Sequence, residues 1–147
     1  MHLYTIGFTK TTAEDFFERL REAKVRVVLD VRLKNTSQLA GFARMPDIQY
    51  FLRGMLDCRY VHDPYLAPTD EILSGYKKKE FGWDEYEARF DRLMDERNLD
   101  EYLMRTYTDV TQGGWCLLCS EDTPEHCHRR LIAGRMEKLF GVEAVHL

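Results

Sequence analysis

The 147-residue sequence predicts a single α/β domain, a three-layer α/β/α sandwich around a mostly parallel sheet of about five strands. Three observations carry that expectation. Short apolar strand-like runs alternate with segments of helical period along the chain. One such run, Val25 to Val31 (VRVVLDV), is apolar on both faces, as a central parallel strand requires. The length and a 44% hydrophobic content suit one core, with no repeat or linker to divide residues 1–147.

Leu3 to Gly7 (LYTIG) reads as the first strand. Thr11 with Glu14 three residues on reads as a capping box, with Thr11 as N-cap. Ala13, Phe16, Phe17, Leu20 and Ala23 then keep helical spacing. Val25 to Val31 is the second strand. Residues 33–45 have no clean period and read as a functional loop. Pro46 opens a helix whose stripe is Ile48, Phe51, Leu52, Met55 and Leu56. Arg59 to His62 is a short third strand. Pro68-Thr69-Asp70 starts a helix running to about Lys78. Trp83, Tyr86, Phe90, Leu93 and Met94 mark a longer helix with an acidic outer face, and Leu99 to Tyr107 a further one.

Gly113-Gly114 interrupts the pattern before the fourth strand, Trp115 to Cys119 (WCLLC). The last helix is expected to start with Thr123 as N-cap and Pro124 at its first position. Leu131, Ile132, Met136, Leu139 and Phe140 bury it, Gly141 caps it, and Val142 to Leu147 closes the chain as a strand. The whole reads as a Rossmann-like arrangement.

Composition narrows the function classes. Net charge is −4, split as +3 over residues 1–60 and −7 over residues 61–147, with an acidic block at 80–101. A protein that coats nucleic acid would be basic, so that partner is not favoured. The opening residues lack a basic stretch followed by an apolar run, and no window reaches the ~18 apolar residues of a membrane helix. The reading is therefore cytoplasmic, with no membrane partner. The sequon at Asn35-Thr36-Ser37 then carries no weight. Cys58, Cys116, Cys119 and Cys127 are too few for a disulfide scaffold and read as thiols, metal ligands or core residues.

In parallel α/β sheets, ligands bind beyond the carboxyl ends of the strands. The polar residues collect there. Gly7, Thr9 and Lys10 follow the first strand; Asp30, Arg32, Asn35, Thr36 and Ser37 the second; His62 and Asp63 the third. Cys119, Ser120 and Glu121 end the fourth, and His126, Cys127, His128 and Arg129 fall in the first turns of the expected last helix. Asp30 and Arg32 share a strand face, so they either position a base and an anion or form a structural ion pair. Gly7 permits close backbone approach to a ligand, or only a tight turn. A helix N-terminus favours anions and lowers thiol pKa values, so Cys119 or Cys127 reads as a thiolate nucleophile, or as small core packing. Cys116, Cys119, His126, Cys127 and His128 are soft metal ligands in type. Cys116 and Cys119 are three apart on a strand and so face opposite ways, which argues against zinc; the reading assigns no metal. Glu121 suits general acid-base work if desolvated, and Arg129 or Arg130 a phosphate.

Thr5-Ile6-Gly7-Phe8-Thr9, Asp30-Val31-Arg32, Asn35 to Phe42 (NTSQLAGF), and Cys119 to Arg129 with its Pro124-Glu125-x-Cys127-His128-Arg129 ending together resemble the family called domain of unknown function 488. The resemblance spans nearly the whole chain. It implies a small α/β domain of the prokaryotic cytoplasm and no established reaction. It implies signature positions at Gly7, Thr9, Asp30, Arg32, Cys119, Glu121, Cys127, His128 and Arg129.

The expectation is an enzyme acting on a small anionic or nucleotide-like ligand. Asp30, Cys119 and Glu121 are the candidate catalytic residues. Gly7, Thr9, Arg32, Cys127, His128 and Arg129 are the candidate ligand-binding residues. A non-catalytic module binding nucleic acid or a partner protein, and a thiol or metal redox protein, stand as alternatives. The sequence assigns no cofactor and no oligomeric state. It expects Asp30, Arg32, Cys119, Glu121, His128 and Arg129 to line one pocket.

Overall fold

A computed structural model describes residues 1–36 and 40–147. Five strands form one sheet in the order β3-β2-β4-β1-β5, and every neighbouring pair is parallel. The strands are β1 (His2–Gly7), β2 (Val27–Asp30), β3 (Arg59–His62), β4 (Trp115–Cys119) and β5 (Glu143–His146). The helices are α1 (Ala13–Glu22), α2 (Asp47–Leu56), α3 (Asp70–Lys77), α4 (Trp83–Glu96), α5 (Leu99–Thr106) and α6 (His128–Phe140). Among the described residues, no helix is long and apolar enough to cross a membrane.

Strand alternation sorts the core into two layers. Ile6, Val28, Cys116 and Leu118 face Phe16, Phe17 and Leu20 of α1 and Ile48 and Leu52 of α2. Leu3, Leu29, Leu117 and Cys119 face Phe90 and Met94 of α4, Leu99 and Leu103 of α5, and Ile132, Ala133 and Met136 of α6. The chain leaves β2 outward towards β3, and leaves β4 across β1 towards β5. The paths diverge between β2 and β4, which is the switch point where such sheets place ligands.

Several boundaries differ from the sequence reading. β2 is shorter than Val25 to Val31, although Val25 and Val31 stay buried and Val31 N–H still bonds Leu118 O at 3.0 Å. The N-cap of α1 is Thr12, not Thr11: its side chain accepts from Asp15 N–H at 3.1 Å. Two adjacent threonines offer the same cap chemistry one residue apart, so spacing alone cannot choose. Pro46 lies just before α2 rather than inside its first turn.

The largest difference is at α6. Thr123 and Pro124 do not start it; Cys127, in extended conformation, is its N-cap. Pro124 O accepts from Cys127 N–H at 3.2 Å, closing a turn that the helix does not continue. Upstream, Ser120 O accepts from Phe8 and Thr9 N–H, at 3.2 and 3.1 Å. These long-range bonds hold the chain against the end of β1, where a helix started at Thr123 has no comparable partner. Of the expected loop at 33–45, the described residues hold a short 3-10 turn at Gly41–Ala43, and Met45 N–H closes on Asn35 O at 2.8 Å. Ser37, in the NTSQLAGF segment, lies outside the described residues.

Candidate functional site

At the end of β2 the backbone turns Asp30 and Arg32 to the same side, that of α1 and α2. Arg32 grips the carboxylate with two donors, Nε to Oδ1 at 2.9 Å and Nη2 to Oδ2 at 2.7 Å. Arg32 N–H adds a third bond to Oδ1 at 3.1 Å, and Nη2 also donates to Ala43 O at 2.7 Å. Tyr60 O–H donates to Oδ2, and Asn35 Nδ2 donates to Tyr60 Oη at 3.1 Å. The Phe8 ring lies 5.0 Å from the guanidinium carbon. Asp30 and Arg32 are almost wholly buried. Burial works against the Arg32 cation, but the hydrogen bonds and charge of Asp30 outweigh it and raise its pKa. Burial, then the charge of Asp30, likewise pushes the Tyr60 hydroxyl up. Of the two readings of the pair, the geometry matches the structural ion pair: three of the bonds that satisfy these groups come from one another.

Cys119 ends β4 on the opposite face from Cys116, as strand phase requires. Its sulfur, the Cys127 sulfur and a His128 ring nitrogen all lie within 4.8 Å of one another, and all three residues are buried. His128 Nε2 donates to Val31 O at 2.7 Å. The Cys119 sulfur is 3.6 Å from Nδ1 and 3.9 Å from Nε2. Such near-equal distances put it off the axis of either nitrogen. The Cys127 thiol, with its sulfur within 4.8 Å, is the hydrogen-bond partner that weighs most on the Cys119 pKa. That bond, with the Ser120 N–H and the Arg129 charge, lowers the Cys119 thiol pKa against the effect of burial. Burial and the same donated bond push Cys127 well up. The two neighbouring thiols are therefore shifted in opposite directions, Cys119 down and Cys127 up.

Three soft donors thus converge out of the five named from sequence. Cys116 faces the other layer, and His126 is exposed and stacked on Trp83 at 5.2 Å. Three donors are one short of a closed structural zinc site, and the sulfur lies off the line of the imidazole nitrogens.

Arg129 is completely buried beside β1. Its Nε donates to Thr5 Oγ1 at 3.2 Å and its Nη1 to Glu121 O at 2.7 Å. Nη2 has no partner, and no carboxylate lies within 4.0 Å of Arg129, among the described residues. Gly7 fits this packing for a steric reason: a Cβ there would lie 1.5 Å from Glu121 O. Thr9 Oγ1 donates to Ser120 O at 3.0 Å. Glu121 contributes its carbonyl to the cluster, while its side chain is exposed, so the desolvation that acid-base work needs is missing.

The candidate residues meet at one end of the sheet, since Asp30 and Leu118 are register partners on adjacent parallel strands. They reach that end from the two faces of the sheet, close enough that the charges of Asp30 and Cys119 act on one another. Asp30 and Arg32 belong to the α1 and α2 side. Cys119, Cys127, His128 and Arg129 belong to the α6 side, because odd and even strand positions face opposite layers. Sequence reasoning missed Tyr60, Ala43 and Phe8 around Asp30, and the partnership of Arg129 with Thr5. Tyr60 carried a signal: it lies two positions before His62, the register partner of Asp30.

A family model described as "Domain of unknown function DUF488" matches residues 12–136. The match takes in every candidate residue except Gly7 and Thr9. No curated protein and no solved structure matches the chain.

Proposed function

Since the chain belongs to the domain of unknown function 488 family, whose description carries no reaction, we propose a function from the site: Cys119 is the thiolate nucleophile of an enzyme acting on a small anionic, nucleotide-like ligand. The carrying observation is that the buried Cys119 sulfur at the end of β4 lies within 4.8 Å of the Cys127 sulfur and a His128 ring nitrogen, next to the first turn of α6. That turn is His128-Arg129-Arg130 and holds no carboxylate. Each of α1 to α5 carries one or two acidic residues in its first turn. Positive side chains at the positive end of a helix call for an anion. The Cys119 thiolate supplies one inside the fold, and a substrate anion supplies another at its rim.

In this reading Cys119 Sγ bonds to the electrophilic atom of the substrate and the leaving group departs with the bonding pair. Asp30 and Arg32 are positioning residues that fix the end of β2 beside β4. Arg129 stabilises the thiolate by charge. The four free cysteines suit a reducing cytoplasm. The acidic charge balance disfavours a broad nucleic-acid surface.

Iodoacetamide labelling of the native protein, read by mass spectrometry, tests the nucleophile. Cys119 should be labelled first of the four cysteines, with a pH midpoint below the ~8.5 of a free thiol. Labelling of Cys58 or Cys116 ahead of it would remove the reading. A thermal-shift screen of nucleoside monophosphates tests the ligand class, since a ligand of the folded state alone raises Tm. Fast Cys119 labelling with no nucleotide shift would keep the nucleophile and discard the ligand class.

A further inference from the structure

The four cysteines fall into two pairs by layer. Cys58 and Cys116 lie among the α1 and α2 packing, and Cys119 and Cys127 on the α6 side. The sheet separates the pairs, so Cys116 and Cys119 cannot meet despite the Cys-x-x-Cys spacing. Burial pushes the Cys58 thiol up to about 11 and Cys116 higher still, so both keep their protons. Cys119 and Cys127 differ in every respect that matters. Their sulfurs lie within 4.8 Å of each other. The Cys119 thiol pKa is shifted down, with Cys127 as the largest cause, and that of Cys127 is shifted up by burial. The connecting residues 120–127 contain no helix or strand, and Cys127 is the extended residue just before α6. A disulfide needs sulfurs about 2.05 Å apart. The approach falls on side-chain rotation and on this irregular connection, with the sheet undisturbed.

We infer that Cys119 and Cys127 form a two-cysteine oxidation site, which a peroxide closes into an intramolecular disulfide. The inference rests on Cys119 being the reactive thiolate of the proposed function. The Cys119 sulfur attacks one peroxide oxygen: an S–O bond forms, the O–O bond breaks, and the departing hydroxide takes a proton to become water. Cys119 is then a sulfenic acid. Cys127 loses its proton and attacks that sulfur; the S–S bond forms, the S–O bond breaks, and the second hydroxide leaves as water with that proton. Two thiols are oxidised and one peroxide is reduced to two waters. The disulfide blocks the nucleophile, guards it from irreversible oxidation, and is reopened by a dithiol.

The test treats the full chain with hydrogen peroxide, blocks remaining thiols with N-ethylmaleimide, and maps the products without reduction. Trypsin leaves Cys116, Cys119 and Cys127 on one peptide, Thr106 to Arg129, so cleavage after Glu121 is added to part Cys119 from Cys127. The expected result is a linked pair of these peptides lacking two hydrogens, a fall from four free thiols to two, and reversal by dithiothreitol. In Cys127→Ser, which keeps a good N-cap, Cys119 should instead proceed to sulfinic acid. A sulfinic Cys119 beside a free Cys127 in the unaltered protein would overturn the inference, as would a link through Cys58 or Cys116. Iodoacetamide labelling of the same preparation separates the two ideas. Fast labelling of Cys119 without any linked peptide leaves the nucleophile standing and the oxidation site refuted. Slow labelling refutes the nucleophile, and with it the oxidation route.

Discussion

His128 Nε2 lies 2.7 Å from Val31 O and joins the first residue of α6 to the end of β2 across 97 positions. A carbonyl oxygen only accepts, so Nε2 carries the proton. Both residues are buried, and no water can replace the donor without entering the core. His128→Ala should therefore cost about 1–3 kcal/mol in urea unfolding at neutral pH. His126→Ala, at an exposed ring, should cost a fraction of that. Equal costs would mean that the bond holds nothing.

Asp30→Asn should be the most damaging single change at the end of β2. It leaves Arg32 a buried cation without its counter-charge, a loss of about 3–5 kcal/mol. Tyr60→Phe removes one neutral donor from the same carboxylate and should cost about 1 kcal/mol. The order of the two urea midpoints checks the argument. A Tyr60 effect equal to the Asp30 effect would contradict it.

Gly7→Ala and Gly134→Ala should move stability in opposite directions. A Cβ at Gly7 meets the Glu121 carbonyl at 1.5 Å, and backbone on both sides cannot yield cheaply. The loss should reach about 3 kcal/mol, the upper end of overpacking costs. At Gly134, inside α6, a Cβ meets nothing within 4 Å. Alanine there should add about 0.5–1 kcal/mol through helix propensity. Thermal unfolding of the two variants is the measurement.

Removing Cys127 should raise the pH midpoint of Cys119 labelling more than removing Arg129 does, because the Cys127 bond is the largest cause of the lowered value. Cys127→Ala and Arg129→Met are the variants. The sign for stability follows. A lowered folded pKa stabilises above the unfolded value and loses that contribution as pH falls through the folded one. Cys127→Ala should therefore narrow the stability difference between alkaline and neutral pH that Cys119 contributes. An unmoved labelling midpoint in Cys127→Ala would reject Cys127 as the main cause of the lowered value.

Cys58 works with the opposite sign. Burial raises its thiol to about 11. Below the unfolded thiol value the proton is held in both states and stability is complete. Above it the unfolded chain ionises while the folded chain does not, so stability falls as pH rises towards the folded value. Cys58→Ala should shrink the drop in urea midpoint between about pH 8 and about pH 10.5. Cys116 and Cys127 keep part of the slope. A full-sized drop in the variant would show that Cys58 does not ionise on unfolding.

The sheet was legible because its strands are local and apolar. Val25 to Val31 and Trp115 to Cys119 hold too many buried side chains to be anything but central strands, and alternation assigned Cys116 and Cys119 to opposite faces without coordinates. The same alternation already separated Asp30 from Cys119 once β2 and β4 are neighbours. That separation was not legible from spacing, because strand order was not available from it. The start of α6 was misread for a different reason. Thr123-Pro124 has favourable local start chemistry, yet Ser120 and Glu121 are held by Thr9 and Arg129, from elsewhere in the chain.

The sequence by itself determined the α/β class, the segments that become strands and helices, and the collection of polar residues at one sheet edge. Those follow from periodicity and from local preferences that act over a few residues. Only the tertiary structure decided which of them touch. It turned Asp30 and Arg32 inward to satisfy each other, and spent the Glu121 carbonyl on a buried arginine. It also set the Cys127 thiol against Cys119. Each of these outcomes is set by burial, because a charged or polar atom removed from water must take whichever partner the packing brings within reach.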